Sequence, residues 1–174
     1  SNLKTTVEAL PAFVAPKSID VFTRHHVFTE TEIHSRYEIL LENYSKTLHI
    51  EALTMIDMVK KDIIPACISY QNELLQLLNY KKSYKEFECR LEESLIDKLS
   101  KLSTCLIQKL DTLEAAMLET KADKDALCLA KFYRNRVFGA MFELRMIIDE
   151  LETLVAKKYW PYPTYATRVS SSSI

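Results

Sequence analysis

The 174-residue sequence holds a single glycine, Gly139. Average usage of about 7% would give roughly a dozen. Glycine enters left-handed backbone without steric penalty, so this shortage excludes a fold built on many tight turns and hairpins. It also excludes Walker A and dinucleotide fingerprints, which need several glycines at fixed spacing. What remains is a chain of a few long helices.

Other absences narrow the chemistry. The four cysteines, Cys67, Cys89, Cys105 and Cys128, form no C-x-x-C pair and sit among apolar neighbours, which reads as buried free thiols in a reducing cytoplasm. No apolar run approaches the roughly eighteen residues of a membrane span, and "SNLKTTVEAL" lacks the basic and apolar regions of a secretory signal. The expectation is a cytoplasmic protein without a membrane partner. Formal charge is −1, from 23 basic and 24 acidic residues spread along the chain, so no basic footprint for nucleic acid is present.

Histidine is scarce as well, and three of the four (His25, His26, His34) fall within "VFTRHHVFTETEIHSRYEILLENY". A zinc site needs about four converging ligands, yet no cysteine lies near and neither HExxH nor HxxxH occurs. A di-iron carboxylate bundle needs Glu-x-x-His on two helices, and no glutamate here has a histidine three residues later. His49, alone within a helical pattern, reads as structural. The residues therefore give no catalytic, cofactor-binding or metal site.

The polar and apolar pattern supplies the organisation. Residues 1–17 contain two of the five prolines and no sustained period, which predicts an extended lead-in with room for one helical turn. A short helix is expected from Ser18 as N-cap. Thr29 and Glu32 form a Thr-x-x-Glu capping box, and a long amphipathic helix follows through Ile33, Tyr37, Leu40, Leu41, Tyr44, Leu48, Ala52, Met55, Val59 and Ile63. Pro65 interrupts it and predicts a bend near Ile64, after which Ile68, Leu74, Leu75 and Leu78 resume the pattern.

Two leucine-rich seams come next. One runs Leu91, Leu95, Leu99, Leu102, Leu106, Leu110, Leu113 and Met117; the other runs Leu127, Ala130, Arg134, Val137, Met141, Leu144, Ile148, Leu151 and Val155, with the polar "ETKADKD" between them. Steps of three and four on both sides of a short polar break describe an antiparallel helical hairpin. Arg134 breaks the apolar rule and is expected to extend its head to solvent. "YWPYPTYATRVSSSSI" closes the chain as an aromatic, proline-held strap with a serine-rich end.

The expected fold is all-α: an antiparallel bundle in which a kinked long helix is followed by a helical hairpin. Its expected organisation is a lead-in at 1–17, a helical domain at 18–158, and a strap and tail at 159–174. The packing or interface candidates are Leu95, Leu99, Leu102, Leu106, Leu110, Leu113, Val137, Met141, Leu144, Ile148, Leu151 and Trp160.

As a string, "HSRYEILLENYSKTLHIEALTMIDMVKKDIIPA" (34–66) resembles the C-terminal region of type III glutamine synthetases. So do "TTVEALPAFV" (5–14), "VFTETE" (27–32), "RNRVFGAMFELRMIIDELETLV" (134–155) and "WPYPTY" (160–165), in the same order. The resemblance implies a parent ligase that joins ammonia to glutamate with ATP and divalent metal, in the cytoplasm, as stacked hexameric rings. It further implies that the catalytic domain precedes Ser1, and no catalytic residue carries over to this chain. The first methionine is Met55, which fits a piece of a longer protein. The resemblance makes the upstream domain and neighbouring subunits the expected partners, for packing, assembly or regulation. The alternative is a free-standing helical scaffold that binds a partner protein through its leucine seams.

Overall fold

A computed structural model describes residues 5–84, 87–119 and 125–163. These residues are mostly helical and contain no strand. The elements in order are α1 (Thr6–Ala9), a 3-10 turn (Leu10–Val14), α2 (Pro16–Arg24), α3 (Glu30–Met58), a π-turn (Val59–Ile63) and α4 (Ile64–Tyr84). Then come α5 (Arg90–Leu118), α6 (Ala126–Phe132), a second π-turn (Tyr133–Val137) and α7 (Phe138–Leu154). No described helix is long and apolar enough to cross a membrane.

The lead-in corrects the expectation of an extended course. Thr5 caps α1 by accepting from the Glu8 amide at 3.3 Å, and Val7 is buried, so residues 6–14 coil into a short helix and a 3-10 turn. Nor does Ser18 cap α2. Pro16 occupies the first turn, where its fixed φ and missing N–H cost nothing, and the Ser18 hydroxyl instead donates to the Ala12 carbonyl at 2.8 Å. The serine-rich end at 164–174 and most of the polar "ETKADKD" turn lie outside the described residues.

The start of α3 follows the capping box. The Glu32 amide donates to Thr29 Oγ1 at 3.3 Å, and the Thr29 amide donates to Glu32 Oε2 at 2.8 Å, satisfying two first-turn groups at once. The interruption near Pro65 takes the form of a π-turn. Proline has no N–H to donate and its ring crowds the carbonyl four residues back, that of Lys61. One wider turn, closed by the Ile64 amide on the Val59 carbonyl, accommodates it.

The described residues divide into two compact units. The first comprises residues to Leu53 together with Ala115–Gly139. Its core joins Val7, Leu41 and Ala130, with Leu10, Tyr37, Tyr44, Ala126 and Leu127 packed around them. Near its chain entry Phe22 lies between Phe13 and Phe28, with centroids 5.5 and 5.8 Å away, and the Arg36 guanidinium caps Phe28 at 4.4 Å.

The second unit comprises Thr54–Glu114 and the residues from Ala140 onward. Helices α4 and α5 run antiparallel here, because partners climb one helix as they descend the other. Lys60 pairs with Glu114, Gln71 donates to Ser103 at 2.9 Å, and Lys81 donates to Glu92 at 2.5 Å. Lys109 of α5 reaches Glu143 of α7 at 2.7 Å. Leu99, Leu106, Leu113, Leu144 and Leu151 are fully buried in this unit.

Candidate functional site

In the first unit, α3 and α6 flank a groove of about 650 Å³ lined by Glu42, Ser45, Lys46, His49, Ile50, Ala126, Leu129 and Tyr133. Spacing of three and four residues puts each set on one face of its helix. The polar feature of the groove is His49, whose Nδ1 lies 2.9 Å from the Tyr133 hydroxyl with the rings edge to face at 82°. Tyr133 begins the second π-turn, closed by the Phe138 amide on the Tyr133 carbonyl, and no proline lies there to require it. On the rim Lys46 pairs with Glu42 at 3.0 Å, and Ser45 is buried with its hydroxyl donating to the Leu41 carbonyl. The groove sets an apolar wall of Ile50, Ala126 and Leu129 beside the polar side chains of Glu42, Lys46, His49 and Tyr133.

Close by, burial is the main reason the Tyr44 hydroxyl holds its proton more tightly than usual; Glu51 adds to the effect while Arg134 opposes it. Arg134, expected to reach solvent, is half-buried and lays its guanidinium over the Phe138 ring at 4.6 Å.

The second unit carries the strap. The Tyr159 hydroxyl donates to Glu73 Oε2 at 2.6 Å, Lys158 Nζ meets the same oxygen at 2.6 Å, and Tyr162 donates to Asp62 Oδ2 at 2.5 Å. Tyr159 also packs on Tyr70 at 5.9 Å, and Trp160 is buried. The Lys158 and Tyr159 bonds hold the Glu73 carboxyl below the usual carboxylate range. Burial, then the bond to Asp62, push the Tyr162 hydroxyl up to about 12. At the far end of α4, Lys81 lowers the pKa of Glu92, a carboxylate that is only 4% exposed.

Of the twelve packing candidates, Leu99, Leu106, Leu110, Leu113, Met141, Leu144, Ile148, Leu151 and Trp160 are buried in the second unit, where Leu95 and Leu102 are half-buried. Val137 is fully buried in the first. Four other seam residues depart from the inward pattern: Leu40, Ile68, Leu75 and Leu91 are exposed. The histidines do not converge. His25 ends α2, His26 turns the chain in left-handed backbone at φ 52°, and His34 stands exposed on α3. Among the described residues no three His, Cys, Asp or Glu side chains come together as metal ligands.

The pairing of His49 with Tyr133 had no sequence signal, since 84 positions separate them. The second π-turn had none either.

Comparison with known proteins bears on these sites. The family described as glutamine synthetase C-terminal domain matches residues 1–82. A glutamine synthetase of Butyrivibrio fibrisolvens is 40% identical over 171 residues, covering 98% of this chain and 24% of its own length. The type-3 glutamine synthetase of Dictyostelium discoideum is 32% identical over 171 residues, covering 95% of this chain and 23% of its own. A Bacteroides fragilis glutamine synthetase is 28% identical over 170 residues, again 95% and 23%. The chain thus spans about a quarter of the length of these relatives, 23 to 24%.

Proposed function

We propose that this chain, which belongs to the glutamine synthetase C-terminal domain family, is the helical packing and assembly element of a type III enzyme. The parent would make glutamine from glutamate, ammonia and ATP with divalent metal in the cytoplasm, and would assemble as a homo-oligomer.

The observation that carries the reading is the outer surface. Among the described residues, eighteen large apolar side chains stand at least 40% exposed, including Ile50, Ile68, Tyr80, Tyr84, Phe142 and Met146. Scattered singles are ordinary on a soluble protein, but aligned ones such as Leu77, Tyr80 and Tyr84 on one face of α4 are the mark of surfaces that other chains cover. Aromatic side chains are also the groups that carry interface energy. We assign the cover to the upstream domain of the same chain and to neighbouring subunits. The free-standing scaffold reading draws no support from the relatives.

The test is glutamate- and ammonia-dependent phosphate release by the parent enzyme, with and without residues 18–165, while light scattering reports particle mass. Joint loss of activity and mass supports an assembly element. Survival of both would overturn the reading and make the domain an accessory or regulatory appendage.

A further inference from the structure

We propose that the strap from Lys158 to Tyr162 is a brace across the proline bend, which keeps the π-turn Val59–Ile63 closed by fastening to the helix on both sides of Pro65. The geometry is one of two anchors. Tyr162 holds Asp62, inside the π-turn and before the proline, at 2.5 Å. Tyr159 and Lys158 hold Glu73, on α4 and after the proline, each at 2.6 Å. Between the anchors Trp160 is buried and Tyr159 packs on Tyr70, so the strap is seated by apolar area as well as by its polar ends.

A bend of this kind has reason to need a brace. A π-turn has poorer geometry than the α-helix it replaces and persists where the surroundings hold it. From inside, Val59 and Ile63 are buried. From outside, Lys60 pairs with Glu114 of α5, Lys61 pairs with Asp57 within the same helical run, and Asp62 meets the strap. The strap joins the turn to the helix beyond the proline within five residues of chain, as α5 does over a longer span through Lys60–Glu114 and Gln71–Ser103, so a load placed on the strap is a load on the bend. Strap and turn therefore open together, and whatever grips the strap in a larger assembly sets the bend.

Hydrogen exchange on the 174-residue chain tests this, with Trp160, the only tryptophan, reporting strap docking by its emission. Tyr162→Phe and Asp62→Ala each remove one side of the first anchor. Either is expected to speed exchange of the amides at 59–64 by about tenfold or more, the weight of one hydrogen bond to a charged group. Amides at 141–152 of α7 are expected to stay within about twofold, and the double variant to exchange no faster than the singles. Tyr159→Phe, at the other anchor, is expected to loosen the same amides. Three results overturn the brace: red-shifted Trp160 emission with unchanged protection at 59–64, no change in either readout, or equal loss of protection throughout the chain.

Discussion

Gly139→Ala is the perturbation whose outcome is most tightly set by the structure. Gly139 lies in the first turn of α7, no glycine in the chain has positive φ, and a β-carbon built there meets nothing within 4 Å. Neither of the usual reasons for glycine, left-handed backbone or close approach within the chain, applies. What is left is the helix-interior penalty relative to alanine, about 0.5–1 kcal/mol, which arises largely from the freedom glycine regains on unfolding. Because the added methyl displaces no neighbour, no overpacking term offsets the gain.

Urea denaturation followed by far-UV circular dichroism is the direct assay. An unchanged m-value with a midpoint raised by about 0.5 M is the expected pattern, together with a melting temperature roughly 2–4 °C higher. A loss of about 0.5 kcal/mol or more would refute the reasoning and place an unseen constraint on that backbone. The same substitution in the parent enzyme separates stability from assembly. If another helix approaches α7 closely at Gly139, alanine stabilises the isolated chain while lowering the parent's oligomeric mass; a gain in both would make the glycine dispensable.

Other perturbations have equally definite signs. Leu144→Ala empties a fully buried position and is expected to cost about 2–5 kcal/mol by the same denaturation assay. Tyr133→Phe removes the partner of His49 and is expected to cost about 1 kcal/mol, with a smaller effect refuting a structural role for that pair. On the alkaline side, burial raises the Cys67 thiol from its ordinary value of 9.0 to about 11, so the folded chain holds this proton more tightly than the unfolded chain. The Cys67 contribution is intact below pH 9 and falls between pH 9 and 11 by about 3 kcal/mol, a part of the alkaline loss that Cys67→Ala should remove while leaving the part that begins near pH 10 with Tyr162. On the acid side, Glu32, Glu73 and Glu92 all lie below their ordinary 4.5, so the stability they add is present above that pH and lost as pH falls through their lowered values. Stability that rose on acidification below pH 4.5 would contradict those assignments.

The parts of the fold legible in the sequence were those written locally. Thr29 and Glu32 marked the entry of α3 because a capping box is complete within four residues. Pro65 marked the bend because a missing amide acts on its own helix, although the pattern left open that the chain would absorb it as a π-turn. Periodicity found the seams but not their width. Leu40, Ile68, Leu75 and Leu91 share the apolar spacing yet lie outside the arc their neighbours cover, since spacing tells which residues share a face and not how far a partner wraps around it. The lead-in misled for the opposite reason. Its prolines suit the first turn of a helix as well as an extended course, and tertiary burial of Val7 decided between them. The groove joins α3 to α6 across 84 positions, where local patterns carry no information.

Burial also decides which residues remain available for assembly. The leucine seams could in principle pack within the chain or against a neighbour, but Leu99, Leu106, Leu113, Leu144 and Leu151 already stand at 1% exposure or less inside the second unit. A surface that is already dry has no transfer free energy left to give a partner. On the proposed reading, any contact of this chain with a neighbour draws on the outward set, and the two kinds of residue should separate cleanly under mutation. Leu113→Ala is expected to unfold the isolated chain more easily, by about 2–5 kcal/mol, and to weaken the parent only through that loss. Phe142→Ser removes a side chain that is 59% exposed, so the isolated chain should change by no more than about 0.5 kcal/mol. In the parent, light scattering should show reduced oligomeric mass for Phe142→Ser, Tyr80→Ser or both, at a temperature where each isolated variant stays folded. If instead only seam variants reduce the mass, the outward residues are ordinary surface, and the domain contributes rigidity to the enzyme without contributing a contact.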